Sequence, residues 1–139
     1  MNNLEIERIL TANCRAFGGV YSCDTLPKSV RGLIVWNTDP HDKPGEHWVA
    51  MYVDEQCGAC FDSFGRPPTK VFKDYFNKHC KLWIFNERQL QSICSRFCGH
   101  YCVYYCILRN RGIDLRKISS SLTDDTGFND VLVHGFICQ

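Results

Sequence analysis

The sequence predicts an α+β fold: a central mixed, mostly antiparallel sheet of about four to five strands with flanking helices, and a nucleophile at a helix N-terminus. Two observations lead there. Short apolar runs and period-two alternations cluster in the middle of the chain, and stretches with helical spacing surround them. The 139 residues are 45% apolar, 13% aromatic and 22% charged, the balance of a globular domain long enough to bury about 68% of its unfolded surface. No repeat, linker or low-complexity stretch divides the chain, so residues 1–139 read as one domain.

Leu4, Ile6, Ile9 and Leu10, set among Glu5, Glu7 and Arg8, predict a short amphipathic helix. Gly18 and Gly19 then mark a loop. Residues 31–37 read as a buried strand, closed by a polar turn over 37–45. Residues 47–53 form a second strand, with His47, Val49, Met51 and Val53 on one face and Trp48, Ala50 and Tyr52 on the other. After a turn at Cys57 and Gly58, a third strand over 59–62 pairs back as a hairpin and stops at Ser63-Phe64-Gly65. Val71, Phe72, Tyr75 and Phe76 give residues 69–78 a helical period, and 81–85 form a fourth strand. A near-continuous apolar helix covers 98–109 and ends at Gly112. A last helix spans about 126–137.

Charge and hydropathy exclude several classes. The net charge of +1 argues against a protein built mainly to grip nucleic acid. The longest apolar run, 101–108, is far below the ~18 residues that span a bilayer. The start, Met1-Asn2-Asn3-Leu4-Glu5, lacks a basic stretch followed by an apolar one, so no secretory signal is expected.

Ten cysteines would suit a disulfide scaffold, but without a secretory signal they read as thiols, metal ligands or catalysts. Cys57-Gly58-Ala59-Cys60 has the spacing of half a zinc site or a redox pair. Its only adjacent candidate partner is His79-Cys80, whose adjacency is poor geometry for one metal, and plain thiols in a turn are the simpler reading. Cys94, Cys98, Cys102 and Cys106 recur every four residues. On a helix that makes a stripe of small apolar side chains facing a core.

Cys98 differs from the rest. It stands where an irregular segment meets the apolar helix, which places its sulfur at the positive end of a helix dipole. Gly99 behind it leaves room for a substrate backbone. His47 opens a strand and can serve as base, and Asp62, at the end of the neighbouring strand, can orient the ring. Gln91 lies between the last strand and Cys98, where its amide and the Cys98 backbone N–H could hold an oxyanion. Together these four residues fill the roles of base, orienter, oxyanion donor and nucleophile.

Gly45-Glu46-His47-Trp48-Val49-Ala50, then Asp62-Ser63-Phe64-Gly65, then Gln91 with six residues before Cys98-Gly99 and Cys102, resemble the adenovirus-type cysteine endopeptidase, adenain, a group in one clan with the SUMO-deconjugating proteases. The resemblance implies a viral precursor-processing thiol protease acting in virion maturation, with Cys98 as nucleophile, His47 as base, Asp62 in place of the adenovirus glutamate and Gln91 as oxyanion donor. Trp48 would flank the histidine in the substrate groove beside Gly99. It implies protein substrates with Gly-rich cleavage sites, no cofactor for the chemistry itself, and a location in the virion and the host nucleus or cytoplasm. The family is boosted by DNA and by a viral peptide joined through a disulfide, and Cys80 resembles that peptide-linked position. The chain looks like a compact relative of the sort carried by mobile elements or DNA viruses. Two other functions fit the sequence. One is a deconjugase for ubiquitin-like Gly-Gly tails; the other is a cysteine-rich zinc-binding interaction module.

Overall fold

The computed structural model of the chain describes residues 1–42 and 47–138. Gly45 and Glu46, which open the histidine motif, and the end of the expected 37–45 turn lie outside the described residues. Five strands form one sheet in the order β1 (Phe17–Ser22), β2 (Gly32–Asn37), β3 (Trp48–Val53), β4 (Cys57–Phe61) and β5 (Leu82–Phe85). The sheet is mixed, but evenly so rather than mostly antiparallel. The two inner pairings, β2–β3 and β3–β4, are antiparallel, and the two outer ones, β1–β2 and β4–β5, are parallel. Helix α2 (Lys70–His79) provides the crossover that a parallel β4–β5 pair requires.

Each face of the sheet buries its own core. On one side α1 (Asn3–Asn13) and α3 (Cys98–Asn110) pack Ile6, Leu10, Tyr101, Cys102, Tyr105 and Cys106 against Val35, Ala50 and Phe61. On the other, α2 packs Phe72 and Phe76 against Trp36, Val49, Met51 and Cys60. The alternation along β3 divides as the sequence predicts, with Val49 and Met51 in the second core and Ala50 in the first. Helix α1 starts in a capping box in which Asn2 and Glu5 each accept the other's backbone N–H at 2.9 Å. Helix α5 (Thr126–Ile137) covers the expected span.

Gly18 and Gly19 lie inside β1 rather than in a loop. The β1–β2 register slips between Phe17 and Val20, so these glycines sit in a bulge where no side chain reports strand periodicity. A Cβ on Gly18 would stand 2.9 Å from Val30, which explains why the neighbouring backbone needs glycine there. Cys57 and Gly58 likewise belong to β4 rather than to a turn. A short helix, α4 (Leu115–Ser120), follows α3; the Asp114 carboxylate caps it by accepting from the Lys117 N–H.

Candidate active site

The site forms where β3, β4 and the start of α3 meet. Helix α3 begins at Cys98, and its N-cap residue Phe97 makes no side-chain cap. The first-turn amides therefore remain free to face the sulfur. His47 precedes β3, and Asp62 follows β4 directly. Because β3 and β4 are antiparallel neighbours, with Ala50 opposite Phe61, the two residues emerge side by side. Their side chains meet at 2.7 Å, His47 Nε2 to Asp62 Oδ1, with both residues only 7% exposed.

With Nε2 bound to Asp62, Nδ1 remains for Cys98. Burial alone would lower the His47 pKa. Hydrogen bonds to Asp62 and to Cys98, with their charges, outweigh it and push the ring up to about 9. Burial of Cys98 acts to raise its pKa, but the His47 hydrogen bond, the backbone N–H groups of Trp48 and Gly99 and the His47 charge bring it below the ordinary thiol value. The two shifts describe one event, a proton held by the imidazole beside a thiolate. Six other cysteines, Cys14, Cys23, Cys60, Cys80, Cys102 and Cys106, are pushed the opposite way, with burial the largest cause for each.

Asp62 is tightly held. Its Oδ1 also accepts the Phe64 N–H at 2.8 Å. Asn86, just past β5, grips the Asp62 backbone from both sides: Oδ1 accepts the Asp62 N–H at 2.9 Å and Nδ2 donates to the Asp62 carbonyl at 2.6 Å. The turn continues to Gly65, which adopts φ +72° and donates to the Asp62 carbonyl at 2.7 Å. A Cβ at Gly65 would stand 2.6 Å from the Arg88 backbone, so only glycine lets the 86–91 segment pass. The Phe64 ring tilts over His47, 4.8 Å between centroids.

Gln91 is fully buried. Its N–H donates to the Ser63 carbonyl at 3.0 Å, and its Oε1 accepts the Ser63 hydroxyl at 2.5 Å. Its amide Nε2 donates to the Ser95 carbonyl and to Ser95 Oγ, each at 3.0 Å. Helix α5 fixes the same segment, with Asn129 Nδ2 donating to the Leu90 carbonyl at 3.0 Å and Asp130 Oδ1 accepting from Tyr101 at 2.7 Å and from the Ser92 N–H at 3.4 Å. Asn86, Ser63, Asn129 and Asp130 are absent from the sequence reading as supports. Single polar residues carry no periodic or motif signal, apart from Ser63 lying within a recognised motif.

Other expectations change. Gly99 does not open onto substrate space. A Cβ there would meet Ile6 and Met1 at 3.3 Å and Trp48 at 3.5 Å, so its missing side chain lets α3 approach α1 and Trp48. Trp48 is half-buried against the first core. Cys80 is 7% exposed at the end of α2, its sulfur over Gly58, so a disulfide partner could reach it only if that end of α2 opened. Cys57 and Cys60 belong to one strand and are three positions apart, which sends them to opposite faces. Cys60 lies in the second core and Cys57 is exposed, so the pair cannot form half of a zinc site. Among the described residues no three His, Cys, Asp or Glu side chains are grouped to hold a metal ion. Nor is any helix among them long and apolar enough to cross a membrane.

No family model matches the chain. A protein of Acanthamoeba polyphaga mimivirus named "Putative thiol protease" is 37% identical over 51 residues, which make up 35% of this chain and 17% of that protein. Among solved structures, the ASFV pS273R protease superimposes with a TM-score of 0.65 at 17% identity, over 96% of this chain and 66% of its own. Its selenomethionine form gives 0.54 at 21% identity, over 74% and 43%. The α+β fold of five strands and five helices is thus the fold of a viral protease. The chain spans about a sixth of the length of the mimivirus protein and no more than 66% of the ASFV protease.

Proposed function

We propose that this chain is a thiol endopeptidase domain that cleaves precursor proteins after small residues, at Gly-containing sites. The observation that carries the reading is the Cys98–His47–Asp62 alignment, in which one sulfur out of ten is driven toward the thiolate by an imidazole that a carboxylate holds in place. The Cys98 thiolate attacks the scissile carbonyl. The oxyanion that forms is met by the Cys98 backbone N–H at the helix start and by the Gln91 amide, which releases the proton now shared with the rotatable Ser95 hydroxyl. The His47 imidazolium gives its proton to the departing amine, the C–N bond breaks, and an acyl-thioester remains. Neutral His47 then takes a proton from water, the hydroxide cleaves the thioester, and the sulfur leaves as thiolate. The preference for glycine, and a setting in the maturation of viral precursors in the virion or the infected cell, come from the resemblance to the adenovirus enzymes and from the viral relatives.

A Gly-ended electrophilic peptide, followed by mapping of the modified cysteine, tests the reading. Labelling confined to Cys98, and lost in His47→Ala, is expected. Labelling spread over the exposed Cys57 and Cys94, unchanged by His47→Ala, overturns it. Cleavage of ubiquitin-like fusions without cleavage of Gly-Gly peptides would assign the same chemistry to a deconjugase.

A further inference from the structure

A recess of about 270 Å³ lies against the histidine, lined by His47 and Asp62 but not by Cys98. That position carries information about the substrate. In acyl transfer the acyl half stays on the sulfur, while the imidazole protonates the amine of the half that departs. A hollow on the imidazole's flank, away from the sulfur, therefore faces the departing half. Its floor includes Trp36 and Val49 from the second core, and Arg66 stands at its wall.

Two donors there are unspent. The Trp36 indole N–H is buried with no acceptor among the described residues. Arg66 rests its guanidinium 4.8 Å from the centroid of Phe64, the ring that covers His47, and pairs with no carboxylate among the described residues. Asp39 also lines the recess and can receive an amide N–H from the same ligand. The space is far larger than a glycine can use, and the donors call for an acceptor at the tip of what enters.

We propose that this recess is a specificity subsite for the leaving half of the substrate, taking a Glu or Gln side chain at one of the first two positions after the scissile bond, with Arg66 as the specificity-determining residue. The proposal rests on the thiol-endopeptidase reading and adds to it the chemistry of the departing segment.

The test uses peptides that share one Gly-containing acyl half and carry Glu, Gln, Lys or Gly at both positions after the bond. The wild-type chain should cleave the Glu and Gln peptides faster than the Lys and Gly peptides, by roughly two- to fivefold in kcat/KM, as expected of a part-exposed ion pair. Arg66→Glu, a change at an exposed position, should invert the Glu-to-Lys ratio, and Arg66→Lys should restore it. An unchanged ratio in Arg66→Glu, or equal rates for Gly and Glu peptides in the wild type, overturns the subsite. Failure of every peptide also overturns it, while Cys98 labelling by the electrophile still sustains the protease reading. Loss of both overturns the two together.

Discussion

Cys98 and His47 are ordinary residue types made unusual by contact. The His47 ring, pushed up to about 9 from 6.5, keeps its proton through neutral pH and loses it as pH rises past that value. Cys98, lowered by the same contact, keeps its charge well into the range where free thiols are neutral. The competent form is the pair with the proton on nitrogen. We expect kcat/KM to rise as the sulfur ionises on the acid side, hold a plateau, and fall near pH 9 as the imidazolium is lost. Asp62→Asn removes a hydrogen-bonded charge that raises His47, so the alkaline limb should move to lower pH. A profile in which Asp62→Asn leaves that limb in place would deny Asp62 its role. Gln91→Ala should cost on the order of 10²-fold or more in kcat with little change in KM; full activity in that variant removes Gln91 from the oxyanion site.

The catalytic elements are held by polar clamps at their ends. The β3–β4 pairing brings His47 and Asp62 together, and Asn86 at the end of β5 locks the Asp62 backbone to the adjoining strand. Asn86→Ala leaves a buried N–H and a buried carbonyl short of their partner, a loss of about 1–3 kcal/mol readable in urea melts. Because the clamp sets where the carboxylate stands, the same variant should lower kcat and shift the alkaline limb toward that of Asp62→Asn. A melt shifted with an unaltered pH profile would make Asn86 merely structural. At this scale the sequence is legible where period and chemistry agree: α5 and the faces of β3 match expectation because their apolar spacing is unbroken. The strand β1 was hidden by its two glycines, and α4 by its brevity. Both exist through partners distant in sequence, β2 for the one and the rest of the first core for the other.

The molecule as a whole is a sheet with a core on each face, and the site sits at one end of it, where the first core delivers α3 to the edge of the second. Leu10 is fully buried in the first core and belongs to α1, the helix on which Gly99 and the start of α3 rest. Leu10→Ala should destabilise the fold by about 2–5 kcal/mol, measured as a fall in the urea midpoint. Cys98 labelling should slow in parallel as the start of α3 loosens. Sequence alone determined the strongly periodic elements, the α+β class and the order His47, Asp62, Gln91, Cys98, because spacing and residue chemistry are local properties of a chain. Only the tertiary structure decided that Gly99 packs under Trp48, that Cys57 and Cys60 face apart, that Asn86 holds the acid and that Arg66 stands beside the histidine. Each of those depends on which distant backbone lies alongside, and such distances are set by packing, which a linear order of residues does not encode position by position.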